Sequence, residues 1–190
     1  MSIVIFVVVF IIIILCYKIY SDKQWHKKPL QNFPFIHRGK VFWYSRSVAT
    51  VIGVFCHDEN GNLCVLANKR GKGTSDFQGY WNIICGYLEH GVNAEENCQK
   101  EVFEETGLFI PLDKIKFFSL NTEPNVNKQN VSLKYYSLLD GICNDYVLTT
   151  ENCEQNEVEQ VIWMPVDEID KYDWAFNHDK LINEMINNNF

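Results

Sequence analysis

The sequence predicts an α/β domain, a mixed β-sheet covered by helices on both faces, preceded by a single N-terminal transmembrane helix. Three observations carry that expectation. The 190 residues are 47% hydrophobic and 22% charged, which suits one globular domain with a real core and an appendage. Segments rich in β-branched and aromatic residues outnumber the helical ones and do not alternate with them, which favours a mixed sheet. The third observation is "IVIFVVVFIIIILCY", Ile3 to Tyr17, a run without a polar residue.

As a helix, the stretch from Ile3 to Tyr20, interrupted by Lys18, is about 27 Å long at about 1.5 Å per residue, close to the roughly 30 Å of a hydrocarbon core. Its β-branched residues are poor helix formers in water. Within a bilayer the backbone groups must pair inside the segment, so helix is the one single-segment solution. No basic residue precedes the run and no small-x-small cleavage site follows it, which argues against a signal peptide. Residues 1–22 are therefore expected to be an uncleaved anchor and the protein a single-pass membrane protein. Lys18, Lys23, Lys27 and Lys28 trail the run, which places the remainder in the cytoplasm by the positive-inside rule. Seven cysteines without a CxxC pair or clustered histidines agree, since they read as reduced thiols and no zinc site. Residues 23–40, with two prolines, read as a linker, and residues 41–190 as the domain.

Within the domain, strands are expected at about 48–57 and 62–69, on either side of an Asn60-Gly61 turn. "GKGTSDFQGYW" is a loop by its glycines, and "WNIIC" a short strand leading into Gly86. Asn93 as N-cap, Glu96 three residues on and Gly107 as the stop define a helix over about 94–106. "KIKFFSLN", "NVSLKYYSLL" and "VEQVIWMPV" are further strands, with helices at about 166–171 and 176–187. The net charge of −7 removes the general attraction to a polyanion, so no nucleic-acid partner is expected, whereas a small phosphorylated ligand at a local site is compatible.

Glu101, Glu104 and Glu105 are spaced so that all three lie along one face of the predicted helix. Like charges at that spacing cost about 0.2–0.5 kcal/mol each, and acids in a last turn oppose the helix dipole by about 0.3–1 kcal/mol more. A cation offsets both terms. Oxygen donors without histidine or thiolate select Mg²⁺ or Mn²⁺.

The segment holding them, "GYLEHGVNAEENCQKEVFEETGL", residues 86–108, resembles the Nudix box, G-x5-E-x7-R-E-U-x-E-E-x-G-U with U aliphatic. Gly86, Glu101-Val102, Glu104-Glu105 and Gly107-Leu108 match with the spacing intact, while Val92 replaces the first glutamate and Lys100 the arginine. In the family that pair braces the loop against the helix, so the two departures together imply the loss of one contact. The resemblance extends over about residues 45–175. It implies an α/β/α sandwich and a Mg²⁺- or Mn²⁺-dependent hydrolase that cleaves the diphosphate of a nucleoside diphosphate linked to another moiety.

The same resemblance implies Glu101, Glu104 and Glu105 as metal ligands, completed by a backbone carbonyl of Cys85 or Gly86. Glu157, six residues before Trp163, would lie near the metals, with Glu159 as the alternative. The general base stays open among Glu104, Glu105 and Glu157. Arg70 and Lys72, beside Lys69, are candidates for the diphosphate, arginine because its fork bonds two oxygens at once. Trp81, with Phe77 and Tyr80, is a candidate to stack on a nucleobase. Pro124 stands close to where ADP-ribose-cleaving relatives carry a proline. Val92 and Lys100 motivate a second reading, a membrane-tethered sensor that binds a nucleotide without cleaving it, and the anchor a third, an enzyme of lipid-linked diphosphates.

Overall fold

A computed structural model describes residues 11–14, 32–127, 129–154 and 156–190. The chain forms two compact units, Met1–Ser45 and Arg46–Phe190.

In the first unit, residues 11–14 are helical and exposed. The rest of the expected anchor, 1–10 and 15–22, lies outside the described residues. No helix among those described is long and apolar enough to cross a membrane. The stretch expected to be linker up to residue 40 instead contains half of a hairpin, in which β1 (Phe33–His37) pairs antiparallel with β2 (Lys40–Tyr44). Arg38 and Gly39 between them take φ of 49° and 73°, the left-handed pair that a two-residue hairpin turn needs to match strand twist. Pro34 suggested a linker, but in a two-stranded ribbon both strands are edges, where proline is tolerated.

The second unit contains β3 (Ser47–His57), β4 (Leu63–Arg70), β5 (Trp81–Asn82), β6 (Ile84–Tyr87), α1 (Ala94–Thr106), β7 (Lys116–Asn121), β8 (Asn130–Ile142), β9 (Val158–Pro165) and α2 (His178–Asn189). The segment expected as a helix at 166–171 is a 3-10 turn. The β3–β4 turn is held by Asp58, whose carboxylate accepts from the backbone N–H of Asn60 and Asn62 and from the Asn62 side chain, each at 2.8 Å.

The sheet is mixed: β3 runs parallel to β8 and antiparallel to β4 and β6, β4 also pairs with β5 and β9, and β8 with β7. β3 and β4 pair only beside their turn, from Phe55↔Val65 to His57↔Leu63, and then part. The edges so exposed are filled from one short segment. Asn82 and Trp81 pair with β4, Ile84 to Tyr87 pair with β3, and the buried Ile83 makes the crossing. The single strand expected over "WNIIC" is therefore two, on different neighbours, because unpaired backbone groups in a buried gap must find partners.

Alternate residues of β3 enter two cores. Ile52, Val54 and Cys56 join Leu66, Ile84, Cys98, Val102, Ile110 and Tyr135 under α1. Val51 and Phe55 join Val65, Ala67, Trp81, Ile83, Met164, Leu181, Ile182 and Met185 under α2. The result is the expected α/β/α sandwich. Among the described residues all six cysteines are free, and Cys56, Cys64 and Cys143 are buried together in the α1-side core.

Gly53, between Ile52 and Val54 on β3, faces Met185 of α2. A Cβ there would stand 2.7 Å from Met185 Sδ. Gly53→Val should therefore overpack the α2-side core and lower stability by about 1–3 kcal/mol in urea denaturation. An unchanged midpoint would mean that α2 does not pack on β3 at this point.

Candidate functional site

The site is built around α1. Asn93 Oδ1 accepts the Glu96 N–H at 2.9 Å, and Glu96 Oε2 accepts the Asn93 N–H at 3.2 Å, a complete capping box. Gly107 ends the helix at φ 72°, donating its N–H to the Phe103 carbonyl. The inner face buries Cys98, Val102, Glu105 and Thr106. Glu105 thus follows Cys98 and Val102 at helical spacing and is carried into the core with them, 6% exposed.

There its Oε2 accepts a short hydrogen bond from Asn68 Nδ2 on β4. Burial, then repulsion from Glu101 and Glu157, hold its pKa well above the ordinary carboxylate range, against the opposing pull of Arg70 and Asn68. Glu101 packs against the backbone of Gly86, where any Cβ would overlap its carboxylate. Burial pushes its pKa up to about 7, opposed by Lys100 and reinforced by Glu104, Glu157 and Glu89. Glu157 is raised as well, by burial and by repulsion from Glu154 and Glu104, with Arg70 opposing. Glu157 thus acts electrostatically on Glu101 and Glu105 from the far side of the sequence. Its position is set by the loop after β4: the Gly71 N–H donates to the Glu157 carbonyl and the Gly73 N–H to the Asn156 carbonyl, both at 2.7 Å. Glu159, the alternative, pairs instead with Lys69 at 2.8 Å.

Asn97 has no part in the expected site, yet it joins its pieces. Its Oδ1 accepts the Glu89 N–H at 3.1 Å, and its Nδ2 donates to Thr50 Oγ1 at 2.9 Å and to Glu101 Oε1 at 3.5 Å. It lies one turn before Glu101 on the same helix face, and that spacing is the signal by which it could have been found. Asn68 has no comparable signal, because only strand pairing brings it to Glu105.

Lys100 also differs from expectation. Its Nζ lies 2.6 Å from Glu104 and 3.1 Å from Glu89. The bracing contact inferred as lost with Val92 is thus made by another pair: Glu89, three residues earlier in the same loop, reaches the lysine of α1.

Arg70, at the end of β4, donates to Asp76 Oδ1 at 2.7 Å and to the Asp76 carbonyl at 3.1 Å, and its guanidinium lies 5.0 Å from the ring centre of Phe176. Its charge opposes the raised pKa of Glu105 and Glu157 while its guanidinium lies against an aromatic cluster. In that cluster Phe77 stands edge-on to Tyr80 at 5.6 Å and to Phe176 at 4.8 Å, and all three rings are exposed. Trp81 is not part of it. It is 7% exposed, edge-on to Tyr172 and packed under α2, so the core holds the ring away from any ligand and the stacking role expected of it is withdrawn. Lys72 is exposed and takes no part in these contacts. The Cys85 thiol is pushed up to about 12 by burial, which keeps it protonated and leaves its backbone as its only ligating group.

Among the described residues, no group of three or more His, Cys, Asp or Glu stands close enough to hold a metal ion. Glu104 is turned to Lys100, Glu105 to Asn68 and Glu101 to Gly86 and Asn97. The donor set nonetheless fits a hard divalent cation. It consists of carboxylate oxygens, and neither Glu101 nor Glu105 forms an ion pair among the described residues that would offset its burial.

Residues 47–185 match the model of the NUDIX domain. Nudix hydrolase 2 of Arabidopsis thaliana is 26% identical over 166 residues, 80% of this chain and 56% of that protein, so the match spans little more than half of the plant relative. Two solved structures share the fold. The NUDIX domain of Shewanella oneidensis NrtR complexed with ADP ribose has a TM-score of 0.63 and 18% identity over 76% of this chain and 89% of that one. A bifunctional NMN adenylyltransferase/ADP ribose pyrophosphatase from Francisella tularensis, complexed with AMP and a Mn ion, has a TM-score of 0.60 and 16% identity over 90% and 46%.

Two predictions follow from the geometry of α1. The folded protein holds a proton on Glu101 up to about pH 7, whereas a free glutamate releases it near 4.5. The contribution of this group to stability is present below about 4.5 and is lost as pH rises through about 7, because the folded state then binds more protons than the unfolded one. In EDTA, Glu101→Gln should flatten that loss between about pH 4.5 and 7 in thermal melts, and an unchanged slope would show that Glu101 is not desolvated. For Lys100 and Glu89, a double-mutant cycle with Lys100→Met and Glu89→Gln should give a stability coupling below about 1 kcal/mol, as suits a half-exposed pair. Strictly additive effects would remove the brace.

Proposed function

The chain belongs to the Nudix family, and from that membership we propose that it is a divalent-metal-dependent pyrophosphohydrolase acting on a nucleoside diphosphate linked to another moiety. The observation that supports the proposal is that Glu101, against Gly86, Glu105, against Asn68, and Glu157, on the loop bonded to Gly71, each have a pKa raised by burial and by neighbouring carboxylates. Such carboxylates are costly to fold around unless a cation and an anionic ligand complete the site.

Glu101, Glu104 and Glu105 would hold Mg²⁺ or Mn²⁺ with the carbonyl of Cys85 or Gly86. When bound, the metal neutralises the diphosphate and lowers the pKa of a bound water. The side chains of this chain account for the rest. The Arg70 fork binds a phosphate, and Lys100 balances Glu104 and keeps the loop at Glu89 against α1. Phe77, Tyr80 and Phe176, rather than Trp81, receive the base. Glu157 is assigned as the general base, because Glu104 is engaged by Lys100 and Glu105 by Asn68, while Glu157 makes no side-chain hydrogen bond among the described residues and is only half buried. ADP-ribose is the first substrate to try, since one of the similar structures contains it and another is an ADP ribose pyrophosphatase with a Mn ion. The Lys100–Glu89 contact weakens the case for a noncatalytic sensor, which rested on a missing brace.

The apolar run at the N-terminus and the lysines that trail it support a single-pass anchor with the domain in the cytoplasm, which we propose alongside the activity. The −7 net charge speaks against nucleic acid as the substrate.

With ADP-ribose, NADH, CoA, sugar nucleotides and dinucleoside polyphosphates as a panel, at least one should be turned over with Mg²⁺ or Mn²⁺ and none in EDTA. Glu157→Gln should lower kcat by about 10²–10⁴-fold and leave KM within a few-fold. A near-normal kcat would move the base to Glu104 or Glu105, and no turnover of any member would favour the sensor.

A further inference from the structure

The β1–β2 hairpin is largely apolar on both faces. Its register sets Phe33, Phe35 and His37 opposite Tyr44, Phe42 and Lys40 on one face, and Pro34 and Ile36 opposite Trp43 and Val41 on the other. On the first face Phe33 stacks on Tyr44 at 4.9 Å and Phe35 on Phe42 at 5.7 Å. On the second, Ile36, Trp43 and Val41 are 76%, 66% and 63% exposed. A two-stranded ribbon is marginal in water, and a sheet with one wet face normally shows polar residues there. Here the first face is charged or polar only at its tip, in His37 and Lys40, and the second face has no polar residue.

Its charges point to what covers it. From Lys23 to His57 there is no Asp or Glu, whereas Lys23, Lys27, Lys28, Arg38, Lys40 and Arg46 fall in that stretch of a chain whose net charge is −7. Arg38 and Lys40 stand at the hairpin tip. Aromatic rings interleaved with cations, following an apolar run in the sequence, are the composition of a membrane–water interface.

We propose that the hairpin lies in the headgroup layer of an anionic bilayer. Ile36, Val41 and Trp43 face the acyl chains, the stacked aromatic face sits at headgroup level, and the Arg38–Lys40 tip meets lipid phosphates. This goes beyond an N-terminal anchor, because it makes the hairpin itself a lipid-binding element and is independent of the hydrolase reading.

The test uses the full chain in vesicles of phosphatidylcholine, with or without phosphatidylglycerol, containing acyl chains brominated near the headgroup. The chain has five tryptophans, so the difference in emission between wild type and Trp43→Phe isolates Trp43. That emission should be quenched, and more so with phosphatidylglycerol. Arg38→Gln and Lys40→Gln should each lower the ratio of immersed to free hairpin about fivefold, the equivalent of about 1 kcal/mol per basic side chain at an anionic surface. Unquenched Trp43 emission overturns the proposal. If it is water-like the hairpin is free, and if it is blue-shifted a second copy or another protein covers the face. Equal quenching in the two lipid mixtures would overturn the anionic specificity.

Discussion

Glu105 on α1 is buried and Glu101 is half-buried beside it, and the elements around α1 hold them there. A carboxylate in a core resists ionisation, and two carboxylates beside one another resist it more. Glu105 reaches that position because it shares its helix face with Cys98 and Val102, whose packing sets the rotation of α1. Once the helix is seated, Glu101 is directed at the backbone of Gly86, and only glycine leaves room for it.

Local sequence holds this unfavourable arrangement in place. The capping box on Asn93 and Glu96 fixes where α1 begins, and Asn97 ties the first turns to Thr50 on β3 and to the backbone of Glu89. The parting of β3 from β4 makes the gap that β5 and β6 fill, and so delivers Gly86 to the helix. Lys100 bridges Glu89 and Glu104, which keeps the exposed acid from adding its full repulsion to the buried ones. On the opposite side the Gly71–Gly73 loop, bonded to Asn156 and Glu157, brings in a carboxylate that no local pattern connects with the helix.

What was legible in the sequence was what local chemistry decides. The helix over 94–106, the turn around Asn60-Gly61 and most strands of the sheet rest on caps, periodicity or spacing, and the structure shows them. The expected convergence of Glu101, Glu104 and Glu105 rests on spacing too, but the three do not stand as one cluster among the described residues. Gly86 stood out only through the resemblance to the Nudix box, and its contact with Glu101 had no signal in the sequence. The hairpin at Phe33–Tyr44 was hidden by Pro34 and by an Arg-Gly turn, a less familiar pair than Asn-Gly although it meets the same backbone requirement. Trp81 was misplaced because an aromatic residue after a glycine-rich loop fits a ligand wall as well as a core until tertiary packing is known. Asn68 and the Glu89–Lys100 brace depend on contacts between separate elements, which composition does not encode.

The proposed cation site on Glu101, Glu104 and Glu105 would release protons when the metal enters. Calorimetric titration of the metal-free protein with Mn²⁺, repeated in buffers of different ionisation heat, tests it directly. The account predicts a single class of site, proton release on binding, and an apparent affinity that rises between about pH 5 and about pH 8, as Glu101, held at about 7 in the metal-free protein, loses its proton. Binding without proton release, or no binding that Glu101→Gln and Glu105→Gln weaken, would contradict it.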